Sequence, residues 1–147
     1  ALAAALAAGP RRAPPVSPLP PNLHLLTLAP TPDGDLLVRL AHTHEAGQGG
    51  KALGGPSSLD LHALLPGVRL ARVVETTLGG VTPLDGVRRT RWRVEGEREG
   101  GVEGPATSPP LRCDAGCAAR PLRITLHPMQ VRTFVATTQH VVAAAAA

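Results

Sequence analysis

The chain has 147 residues and a formal net charge of +4. That length suffices for one domain with a real core, or for one layer of a larger one. The Ala/Leu stretch at residues 1–8 is far too short to cross a bilayer and lacks the basic leader of a signal peptide, so no membrane span is expected. Ala1 rather than Met opens the chain, which leads to the expectation of a piece cut from a longer protein. The dense basic run Arg88, Arg89, Arg91 and Arg93 is followed at once by Glu95, Glu97 and Glu99, which repel phosphate. With Trp92 as its only interleaved ring, nucleic acid is not an expected partner.

In chain order, residues 1–21 read as an Ala-rich lead and a Pro-rich linker, because six prolines from Pro10 to Pro21 deny it a helix or a central strand. Asn22 to Ala29 is an apolar run with Leu23 and Leu25 on one face and Leu26 and Leu28 on the other, which means burial on both faces or a bulge between Leu25 and Leu26. The Pro-Asp-Gly turn at 31–34 then leads into Asp35 to His44, with Leu36, Val38, Leu40 and His42 sharing a face. This pair reads as a hairpin. Ala46 to Pro56 is Gly-rich and reads as a mobile surface loop.

Ser57 to His62 reads as a short strand, His62 to Leu65 as one helical turn, and Val68 to Leu78 as a β-branched strand. Thr90, Trp92 and Val94 alternate with arginines as a half-buried strand, and Gly96 to Pro110 reads as a loose insertion. Leu122 to His127 and Val131 to Thr138 complete about seven short strands, with Met129 and Phe134 expected in the core. The pattern is all-β, an antiparallel β-sandwich spanning 22–140, with a low-complexity tail at 141–147.

Chemistry is sparse. Glycosidases need paired carboxyl groups, and here only Glu75 sits mid-strand, where an ion pair with a neighbouring Arg is the preferred reading. His42 and His44 project from one face of a strand, so they are weak metal candidates lacking an assigned third ligand. The alternative is a pair of strand-end histidines bonded to backbone or water. Cys113 and Cys117 enclose Asp-Ala-Gly, a gap that allows a local disulfide and equally allows two free thiols.

Four ordered stretches are recognisable: Leu19 to Ala29, Leu36 to Gly47, Leu59 to Leu65 with Val73 to Leu78, and Ile124 to Ala136. The last reads Ile-Thr-Leu-His-Pro-Met-Gln-Val-Arg-Thr-Phe-Val-Ala, with Gln130 where Glu is usual. Together they resemble the C-terminal β-sandwich region of glycoside hydrolase family 38 (class II) α-mannosidases, in the lysosomal or vacuolar branch. The resemblance implies a fragment of a retaining, zinc-dependent exo-α-mannosidase that removes terminal α-mannose from N-glycans. The family's nucleophile and zinc ligands lie in an N-terminal α/β domain, so no catalytic, cofactor-binding or metal residue carries over to this chain. Zinc is implied for that catalytic domain alone. The implied partners are the catalytic and middle domains of the same enzyme and, for the parent, a mannose-containing glycan. The implied location is the lysosome, the vacuole or the secretory pathway. A segment of this kind is expected to be inactive alone and to expose an apolar patch where the rest docks. The competing reading is an independent carbohydrate- or protein-binding sandwich. It needs exposed aromatics on a concave face, and Trp92, flanked by Thr90 and Val94, is its only candidate.

Overall fold

The first hairpin follows from its turn. The Thr31 and Asp35 backbones exchange a bond (Thr31 N–H to Asp35 O, 2.8 Å), the Thr31 hydroxyl accepts from the Asp35 amide at 3.1 Å, and Gly34 takes the left-handed φ of +87°. The computed structural model describes residues 16–87 and 108–139. In it the turn joins β1 (Leu23–Pro30) to β2 (Leu36–His42), which pair antiparallel. Register slips between Leu25 and Thr27, so Leu26 is the bulged residue. The bulge turns Leu26 out to solvent and lets the flanking leucines keep contact with the core.

The remaining strands are β3 (Ser57–Asp60), β4 (Arg69–Thr76), β5 (Arg112–Cys113), β6 (Arg123–Leu126) and β7 (Val131–Gln139). One antiparallel sheet has the order β1-β2-β7-β4-β5, and β3-β6 form a second. Two helical turns, α1 (Gly50–Gly54) and α2 (Leu61–Leu64), lie before and after β3. Asp60 caps α2 by accepting from the His62 amide at 2.9 Å, and the same oxygen receives the Leu122 amide. The alternation expected for β2 is present: Leu36, Val38 and Leu40 are buried with Leu70, Val73, Phe134 and Ala136 from the neighbouring strands. Leu61, Leu64, Leu122, Ile124 and Leu126 join that cluster from α2 and the second sheet. The architecture is the expected all-β sandwich of seven strands.

Three expectations need correction. Met129 is not core: it is 62% exposed and takes a φ of +60° in the tight turn before β7. There the Gln130 amide bonds His127 O at 3.0 Å, and the turn's geometry takes Met129 out of the alternation of the strands. The Gly-rich segment lies at the surface as expected, but it is not all loop: it contains α1 and a buried clamp ties its end to the sheet. The strand β5 was not anticipated, since two residues carry no periodicity. The expected strand at Thr90 to Val94, with Trp92, and most of the expected insertion lie outside the described residues.

Candidate functional site

His42, a weak metal candidate, ends β2 with its ring buried at 2% exposure. Its Nε2 lies 2.9 Å from Gly55 O and 3.1 Å from the Asn22 amide nitrogen. Its Nδ1 lies 3.1 Å from His44 O and 3.3 Å from the His44 amide nitrogen. Asn22, equally buried, donates its amide to Leu53 O at 3.1 Å and accepts from the Ser57 hydroxyl at 2.7 Å. The two side chains therefore tie the end of α1 and the start of β3 to the sheet. Gly54 and Gly55 let the loop close on itself: a Cβ at either would stand 2.5–2.7 Å from backbone atoms of Glu45, Gln48 or Lys51. His44 lies with its ring centroid 6.4 Å from that of His42, edge to face, and its Nδ1 is 3.1 Å from the Thr43 hydroxyl. Backbone groups and the Asn22 side-chain amide surround the two His42 nitrogens, which does not fit a zinc ligand. Among the described residues no group of three His, Cys, Asp or Glu side chains is placed to hold a metal.

Glu75 and Arg132 meet on the inner face of the large sheet, 4% and 3% exposed. Arg132 donates from Nε to Glu75 Oε1 at 2.8 Å and from Nη2 to Oε2, while the Leu111 amide donates to Oε2 at 2.8 Å. Its remaining donors reach Thr125 O and Pro109 O. The guanidinium lies 5.5 Å from the Phe134 ring centroid. Both carboxylate oxygens thus accept hydrogen bonds from buried donors, which ties Glu75 to Arg132 and to the Leu111 backbone. The preferred reading of Glu75 as an ion-paired residue agrees with this geometry. Its burial between the sheets could not be read from the strand pattern, because the bulge between Leu70 and Arg72 shifts the inward face of β4.

Cys113 and Cys117 are joined by a disulfide whose two halves are buried, with Gly116 turning the chain at φ +68°. Beside it Asp114 accepts from Arg112 and Arg72, and Arg112 also reaches Asp85 at 2.8 Å. The Arg112 and Arg72 guanidiniums hold the Asp114 carboxyl below the usual carboxylate range. Asp114 and Asp85 raise Arg112 still further above neutrality.

On the outer face of the large sheet lies a cleft of about 540 Å³. Leu37, Val74 and Val135 line it from the sheet, and Val81 and Pro83 from the loop after β4. Asp33 and Asp35 line it from the β1–β2 turn. Both carboxylates come from one turn, so they form one edge and not two walls flanking a bond, as glycoside cleavage requires. The described residues thus bring together packing groups and bonded polar pairs, and no helix among them is long and apolar enough to cross a membrane. Sequence reading missed the Asn22 clamp; its signal was a polar residue directly before a buried strand.

Comparison with known proteins places these features. A family model described as the glycosyl hydrolases family 38 C-terminal beta sandwich domain matches residues 22–134. A probable alpha-mannosidase of Arabidopsis thaliana is 35% identical over 80% of this chain. The lysosomal alpha-mannosidases of Felis catus and Homo sapiens are 36% and 34% identical over 82% of it. The chain spans about 11% of the length of each of these relatives. By sequence match and by fold, this chain belongs to the glycosyl hydrolase family 38 C-terminal β-sandwich domain family.

Proposed function

We propose that this chain is a non-catalytic segment of a retaining, zinc-dependent exo-α-mannosidase that trims terminal α-mannose from N-glycans. Its role is to support the catalytic domain, and its compartment is the lysosome, the vacuole or an earlier station of the secretory pathway. The observation that carries the reading is the family match over residues 22–134 in relatives that are alpha-mannosidases of about nine times the length. The commitment of Glu75 to Arg132 is consistent with a packing role. Zinc belongs to the catalytic domain in this reading, and no step is assigned to it here.

The test uses an aryl α-mannoside. The native full-length polypeptide should hydrolyse it, lose activity on chelation and regain it with zinc. The 147-residue chain alone should release no product. Turnover by the chain alone, or a full-length protein inert toward α-mannosides, would reject the reading.

A further inference from the structure

The cleft on the outer sheet face is built by an ordered loop and not by a gap in packing. After β4 the chain turns at 77–82, with the Thr77 amide bonded to Thr82 O at 2.8 Å and the Gly80 amide to Thr77 O at 2.8 Å. Thr76 and Pro83 then bridge across its base. Gly80 takes a φ of +79°, which favours glycine, and a Cβ there would lie 2.9 Å from the terminal Cδ1 of Leu37. This well-bonded turn nevertheless presents Val81 at 85% exposure and Leu78 at 63%. Of these two, Val81 lines the cleft, and an aliphatic side chain held out beside an apolar floor costs free energy in water unless another surface covers it.

Asp33 and Asp35 line the cleft from the β1–β2 turn, and Arg72, which also lines it, is engaged by Asp114. Among the described residues no cation pairs with Asp33 or Asp35, whereas Asp85 and Asp114 each have an arginine. A third mark is Thr76, which lines the cleft and whose hydroxyl is buried with no partner.

We infer that this cleft is the docking site for another domain of the same polypeptide, which seats an aliphatic side chain on Leu37, Val74 and Val135 and sets a Lys or Arg against Asp33 and Asp35. The inference rests on the proposal that the chain is a segment of a longer mannosidase. The occupant is taken to be in cis because about nine-tenths of each relative lies outside the matched stretch. A tethered domain is present at an effective concentration that a separate partner does not reach. Among the described residues that line the cleft none is aromatic, which disfavours a sugar as occupant.

The experiment uses the native full-length polypeptide carrying Val81→Cys, with Lys51→Cys on the exposed α1 turn as reference. Maleimide labelling under native conditions is read peptide by peptide by mass spectrometry, and α-mannoside hydrolysis is assayed on the same samples. The expected result is labelling of V81C at least ~10-fold slower than K51C, as for a group that reacts only after local opening. Adding D33K and D35K should restore rapid labelling by opposing the cation. Labelling of V81C as fast as K51C in an active enzyme overturns the docking site and leaves the mannosidase reading intact. Slow labelling that D33K/D35K leaves unchanged overturns the charged contact. A full-length protein with no α-mannoside hydrolysis counts against the mannosidase reading, whatever the labelling rates.

Discussion

At the scale of the residue, the Glu75–Arg132 pair decides most. Both charges are buried, and their mutual bonds, with those to Leu111 N, Thr125 O and Pro109 O, replace the lost water. Removing one partner strands the other. Glu75→Ala should destabilise the fold by about 3–5 kcal/mol, whereas the pair Glu75→Leu with Arg132→Met should recover most of that loss. Denaturant unfolding followed by circular dichroism separates the two; equal losses would show that the cost lies in packing and not in an orphaned charge. An ion pair at Glu75 was the reading its place mid-strand in an arginine-rich chain favoured. Its partner and its burial were not, because the bulge in β4 changes which side chains point inward.

At the scale of the element, glycines and cystine hold short segments that propensity alone would not keep. Gly80→Ala meets both a left-handed φ and the Leu37 side chain, so it should cost about 1–2 kcal/mol and loosen the 77–82 turn. Amide exchange of peptides covering that turn is the check, and unchanged protection would mean that Leu37 gives way at no cost. The disulfide closes a loop from Cys113 to Cys117 and anchors the two-residue β5 against β4. Replacing both cysteines by serine should cost about 2 kcal/mol on chain entropy. Non-reducing peptide mapping would establish the bond in the native protein, and a matching loss of stability in dithiothreitol would assign its effect. The spacing of the cysteines was visible in sequence, but whether they bond depends on Gly116 and on β5 pairing with β4, which are matters of fold.

At the scale of the molecule, the surface network Arg72–Asp114–Arg112–Asp85 stitches β4, β5 and the turn at Leu84–Gly86 that follows β4. The Asp114 carboxyl is held below its ordinary value, so its stabilisation is fully present above the unfolded carboxylate range and is lost as pH falls through the lowered value. Asp114→Asn should therefore flatten the acid limb of stability below about pH 4. The same variant should show less response to salt than the parent, since exposed pairs are screened. Unfolding midpoints measured from pH 2 to 5, at low and high salt, test this, and parallel curves for variant and parent would remove Asp114 from the account. The sequence by itself determined most of the strand segments and that β1 and β2 form a hairpin, and it left a bulge near Leu26 as one of two readings. These follow from alternation and from turn chemistry, which are local. Only the tertiary structure decided that the Gly-rich loop is clamped by Asn22 and His42, that Met129 is a turn residue, and that Leu37, Val74, Val81 and Val135 enclose a cleft. Each depends on which distant groups meet, and a bond from Asn22 to Leu53 or from Glu75 to Arg132 spans chain separations that no local period records.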